Sequence, residues 1–206
     1  MINPKIADYI ESNIIPQYLQ FDGAHDITHV IRVIANSLEI ADSFDVDFNM
    51  VYVIAAYHDI GLPQGREEHH KHSASILLSD KKLQEWFSQE ELEIMAEAVE
   101  DHRASNENEP RSIYGKIIAD ADNDLEYESI LLRCIQHGLA HYPEYNKEQY
   151  FTRVVDHLED KYGYNGYLKT WLNSDHDRRV LQEIRDKLEN PEDLRTDFDK
   201  LWEELQ

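Results

Sequence analysis

Cysteine is nearly absent from this chain: Cys134 is the only one among 206 residues. One thiol excludes an intrachain disulfide and any zinc site built on several cysteines. Positive charge is scarce too, with 20 Lys and Arg against 42 Asp and Glu and a formal net charge of -22. So acidic a surface repels nucleic-acid backbones and anionic membranes, and neither is expected as a partner. A small phosphorylated ligand stays compatible, because a bound cation reverses the local field. No apolar run approaches the length of a membrane span, and Met1-Ile2-Asn3-Pro4-Lys5 does not read as a signal peptide. The expectation is a soluble cytoplasmic protein. Alternating apolar and polar residues, the mark of a half-buried strand, are also missing, as are internal repeats and low-complexity segments.

What the chain does have is helical periodicity. Apolar residues make up 41% of it, with twelve Tyr and three Trp, which argues against disorder despite the charge. The length suits one all-α domain over 1–206. Asn3-Pro4 predicts a helix start, with Ile6, Ile10 and Ile14 on one face up to about Pro16. A second helix opens near Asp26 and carries His29 in its first turn. A third runs from about Asp47 through Met50–Tyr57, apolar almost all round as a central helix should be, and stops at Gly61 and Pro63. Gly65–His72 leads into a further helix, and Ser79 is read as the cap of a short one burying Leu83, Trp86 and Phe87. Ser88-Gln89-Glu90-Glu91 is a capping box; behind it Leu92, Met95, Val99 and His102 share the inward face. Ser112 to about Asn123 is helical again. Four more helices are expected, around 127–140, from Asn146 to Gly163, and near 176–189 and 192–205. The aromatic stretch 161–171 either caps a pocket or packs the last helices.

Chemistry-bearing residues recur along this pattern. Ala55-Ala56-Tyr57-His58-Asp59-Ile60-Gly61 ends the apolar helix with a nitrogen and an oxygen ligand side by side, a mixture that suits a divalent transition metal better than calcium. His29 precedes it; His69, His70, His72, His102, Asp120 and Asp122 follow, each at or inside a predicted helix. Helices that point imidazoles and carboxylates into one core are a common metal-site architecture. His137 and His141 also stand at i, i+4, but no carboxylate accompanies them at matching spacing.

Taken in order, His25-Asp26-Ile27-Thr28-His29-Val30-Ile31-Arg32-Val33, Ala55–Gly61 and Ile117-Ile118-Ala119-Asp120-Ala121-Asp122 resemble the H…HD…D signature of the HD superfamily of metal-dependent phosphohydrolases. The likeness covers a core of about 22–125 and leaves a helical extension of about 126–206 outside it. It implies a metal held by His29, His58, Asp59 and Asp122, with His58 and Asp59 central to catalysis. Two residues apart on a helix, Asp120 and Asp122 point about 200° from each other, so both cannot face one ion; the resemblance favours Asp122. Some members hold a second ion through two further histidines, here His102 with His72 or His69, the HD aspartate bridging. Arg103, Lys116 and His69 are candidate substrate contacts. One or two divalent ions (Mn, Fe, Ni, Co, Zn or Mg) are implied as cofactors. The implied reaction is attack of a metal-bound hydroxide on a small phosphorylated metabolite, a nucleotide or nucleoside monophosphate being the best guess. Two other functions fit the same residues: a di-iron oxygenase of the superfamily, and a non-catalytic nucleotide sensor.

Overall fold

A computed structural model describes residues 1–21, 26–103, 108–123 and 125–205. His25, quoted above, lies outside the described residues, as do Asp124 and residues 104–107. Ten α-helices, and no strand, occur among those described. No helix among them is long and apolar enough to cross a membrane. The chain divides into two compact units, Met1–Asp124 and Leu125–Gln206.

In the first unit the caps act as their residue types dictate. The Asn3 side chain accepts from the Lys5 N–H at the start of α1 (Pro4–Asn13). Asp26 accepts from the N–H groups of Thr28 and His29 at 2.8 and 3.0 Å, opening α2 (Ile27–Ala41) beside a histidine. Asp47 caps α3 (Phe48–Tyr57), whose residues Met50 to Tyr57 are all buried. Packed around it are α1, α2, α4 (His69–Ser79), α5 (Gln89–Asp101) and α6 (Ile113–Asn123), which makes α3 the axis of the unit. Two local readings change. Residues Ile15–Gln20 form a six-residue 3-10 turn rather than prolonging the first helix. The short helix expected after Ser79 is a single 3-10 turn, Leu83–Glu85; Ser79 ends α4, and Asp80 accepts from the Lys82 N–H instead.

The second unit gathers α7 (Tyr127–His141), α8 (Lys147–Tyr162), α9 (Asp175–Glu189) and α10 (Pro191–Glu204) around Leu131, Ile135, Leu158, Ile184 and Phe198. Within 161–171, Tyr162 is buried and Leu168 packs on this core, whereas Tyr164 and Tyr167 are exposed. The rings of His137 and His141 stack at 4.0 Å, and Arg153 Nη2 donates to His137 Nδ1 at 2.8 Å.

Candidate metal centre

The helical ladder of α3 stops at His58, and a tight turn carries His58 and Asp59 into the middle of the first unit, where His58 has no exposed surface and Asp59 has 3%. A carboxylate buried this deeply must be compensated. Its two oxygens face two different histidine pairs. Asp59 Oδ2 lies 3.2 Å from His58 Nε2 and 3.6 Å from His29 Nε2, while Oδ1 lies 3.1 Å from His69 Nε2 and 3.4 Å from His102 Nε2. Asp122 Oδ1 joins the first pair, 3.2 Å from His29 Nε2 and 3.6 Å from His58 Nε2. Among the described residues, two groups thus have ligand atoms close enough to share an ion: His29, His58 and Asp59, and Asp59, His69 and His102.

Proton positions decide whether these groups suit a cation. Nδ1 of His58, His69 and His102 lies 2.8, 2.7 and 2.6 Å from the carbonyl oxygen three residues earlier, on Ala55, Arg66 and Val99. A carbonyl can only accept, so each Nδ1 carries a proton and each neutral ring presents a lone pair at Nε2. His69 and His102 then oppose lone pairs at 3.2 Å, with a carboxylate oxygen beside both. Only a proton or a metal cation between them relieves that arrangement. His29 Nε2 and His58 Nε2 approach to 3.1 Å. The demand for positive charge is visible in the pKa values. Burial alone would lower that of His29, but hydrogen bonds and charges from Asp122 and Asp59 outweigh it and raise it to about 9. His58 is raised likewise, burial being overcome chiefly by the Asp59 charge. Burial works against ionised Asp59, yet the His58 charge and hydrogen bonds from His102 and His29 hold it well below the usual carboxylate range. The donor set of four imidazoles and two carboxylates fits divalent transition metals, which take such protons' places.

Of the candidate residues, His29, His58, Asp59, His69, His102 and Asp122 come together. His72 does not share in either group. It sits one helical turn beyond His69, with its Cβ beside Gly61, whereas His69 lies with His102 and Asp59. His70, about 100° round α4 from His69, is buried with Nδ1 unpaired; burial and the Arg103 charge push its pKa down to about 4. Asp120 is buried and belongs to neither group. The Arg103 guanidinium donates to the Glu67 carbonyl at 2.6 Å. Lys116 pairs with Glu109 at a cavity of about 390 Å³ shared with Pro110, Arg111 and Ser112.

Three supporting contacts had no signal in the sequence pattern. Gly61 lets α4 close onto the turn: a Cβ there would lie 2.5 Å from both His69 O and Ser73 N. The Gly61 N–H donates to the buried Ser73 hydroxyl at 2.9 Å. On the other side, Tyr18 meets the same turn with its hydroxyl.

Residues 26–125 match the family model of the HD domain. Residues 26–125 form an HD domain. Among solved structures, the chain is similar to Bacillus subtilis YpgQ in complex with ADP, at 18% identity over 94% of this chain and 95% of that one, with a TM-score of 0.61. A predicted HD superfamily hydrolase from an uncultured Thermotogales bacterium is 24% identical over 74% of this chain and 83% of that one, with a TM-score of 0.50. No curated protein matches the sequence. The HD match ends where the second unit begins, so the second unit lies outside it.

Proposed function

We propose that the chain is a metal-dependent phosphohydrolase with two divalent cations, acting on a small phosphorylated metabolite. The observation that carries this reading is the division of Asp59, one oxygen toward His29 and His58 and the other toward His69 and His102. His29, His58, Asp122 and Asp59 Oδ2 would hold one ion; His69, His102 and Asp59 Oδ1 would hold the other. Such ions, when bound, neutralise a phosphoryl group and lower the pKa of water toward neutrality. The protein's part is to keep the ligands oriented. The carbonyls of Ala55, Arg66 and Val99 fix three imidazole tautomers, as outer partners of metal-ligating histidines commonly do. No serine or cysteine nucleophile is required. Within phosphorylated metabolites, a nucleotide or nucleoside monophosphate is the reading supported by the ADP held by the structurally similar YpgQ and by a net charge of -22 that repels long polyanions.

Metal analysis of the native protein, followed by a phosphatase screen over a metabolite panel with Mn, Co, Ni or Fe supplied, tests the proposal. Activity should depend on the added ion, and His58→Ala and Asp122→Ala should lose both metal and turnover while Asp120→Ala keeps them. Metal-loaded protein inactive on every phosphoester, or a native di-iron centre that consumes oxygen, would replace this reading with the sensor or the oxygenase.

A further inference from the structure

We propose that Tyr18 is a positioning residue of the metal centre: its hydroxyl holds the backbone that carries Asp59, so the site depends on a segment outside the HD match. This rests on the metal-centre reading above. The starting point is a gap in hydrogen bonding. At the end of α3 the Ile60 N–H bonds to Tyr57 O, three residues back rather than four, leaving the Ala56 carbonyl without its helical donor. Ala55 O, the acceptor that a continuing helix would offer to the Asp59 N–H, takes His58 Nδ1–H instead. Two backbone groups buried at the centre of the unit therefore need partners from elsewhere.

One phenol meets both needs. The Tyr18 hydroxyl donates to Ala56 O at 3.0 Å and accepts from the Asp59 N–H at 3.3 Å. Tyr18 has no exposed surface, and its ring is fixed against Phe21, with centroids 4.8 Å apart. It belongs to the 3-10 turn Ile15–Gln20, whereas the HD match starts at residue 26. Because Asp59 is common to both ligand groups, a shift of its backbone moves an oxygen in each. Tyr18 makes no hydrogen bond to a side-chain atom of either group; its ring lies 6.4 Å from that of His58, centroid to centroid, and its hydroxyl acts through the turn.

The test compares Tyr18→Phe, which keeps the ring and removes the hydroxyl, with Tyr9→Phe. Tyr9 also donates a phenolic hydrogen bond in this unit, to Asp80 at 2.6 Å, and Asp80 keeps its bond from Tyr57 when that one is removed. In metal-free protein, amide exchange across residues 55–61 should accelerate about tenfold in Y18F and stay unchanged in Y9F. Mn²⁺ binding, measured by calorimetry, should weaken about 10- to 100-fold in Y18F, the range typical of outer-sphere partners, and stay unchanged in Y9F. Wild-type exchange in Y18F, or equal losses in both variants, would overturn the proposal. If wild-type protein bound no Mn²⁺, the metal reading would fail, while the exchange comparison would still decide whether Tyr18 holds Asp59.

Discussion

Replacing Gly61 with alanine should empty one half of the metal centre and spare the other. The added Cβ would lie 2.5 Å from His69 O, 2.5 Å from Ser73 N and 2.7 Å from His72 Cβ. Non-bonded carbon contacts relax only near 3.5 Å, so the first turn of α4 must retreat by about 1 Å. Two of these neighbours are backbone atoms, and no side-chain rotation can absorb the clash. The retreat stretches the 2.9 Å bond from Gly61 N–H to Ser73 Oγ beyond hydrogen-bonding range. Overpacking of this kind costs about 1–3 kcal/mol, and the lost hydrogen bond about 1 kcal/mol more. For a unit of this size that lowers the melting temperature by roughly 10 °C. His69 travels with α4, whereas Asp59 and His58 stay with α3. The group Asp59, His69 and His102 therefore opens while His29, His58 and Asp122 are untouched. Elemental analysis after dialysis against Mn²⁺ should fall from two ions per chain to one. Gly65→Ala is the control: its φ of +126° makes alanine strained there, but nothing lies within 4 Å of the new Cβ. It should lose stability and keep both ions. A folded G61A protein that retains two ions at wild-type affinity would refute the reasoning.

Metal affinity should rise with pH between 7 and 9, because His29, with its pKa raised to about 9, must release its proton to an incoming ion. The gain is about tenfold per pH unit for each proton displaced and levels off above 9; isothermal titration in buffers of increasing pH reads it, and a flat profile would contradict it. Saturation with Mn²⁺ at about 100 times its dissociation constant should stabilise the first unit by roughly 2.7 kcal/mol, visible as a higher melting temperature that a chelator reverses. Tyr9 and Tyr57 both donate to Asp80 Oδ2 at 2.6 Å, and burial with the Asp80 hydrogen bond raises the Tyr9 pKa to about 12. A raised folded-state pKa gives stability that is complete below pH 10 and lost as pH climbs through about 12; Tyr9→Phe should flatten that alkaline limb in denaturant melts. Cys134 is buried and burial pushes its thiol up to about 11. A disulfide reagent at neutral pH should label it only along the unfolding transition of the second unit; rapid labelling of native protein would contradict its burial.

Much of the candidate site could be read from residue order because its residues sit on strongly patterned elements. The uninterrupted apolar run Met50–Tyr57 reads as a central helix, and such a helix can end only by delivering His58 and Asp59 into the interior. Asp26 reads as a cap, which places His29 in the first turn of α2. His102 follows from the phase of Leu92, Met95 and Val99. His69 and His72 could not be separated in this way. They stand one turn apart on a helix with little amphipathic contrast, and what brings His69 beside His102 is the approach of α4 to Gly61, a contact between segments that local pattern does not encode. Tyr18 escaped for a related reason: a 3-10 turn has no 3.6-residue apolar stripe, so Ile14-Ile15-Pro16-Gln17-Tyr18 reads as a helix end rather than as part of a site.

The account turns on Asp59 serving two ions at once. Counting the divalent ions bound per chain in native protein and in Asp59→Ala, at matched helical content, tests that most directly. Two ions in the native protein and none held tightly in the variant is the predicted result. No bound ion in the native protein, or two ions retained without the Asp59 carboxylate, would contradict it.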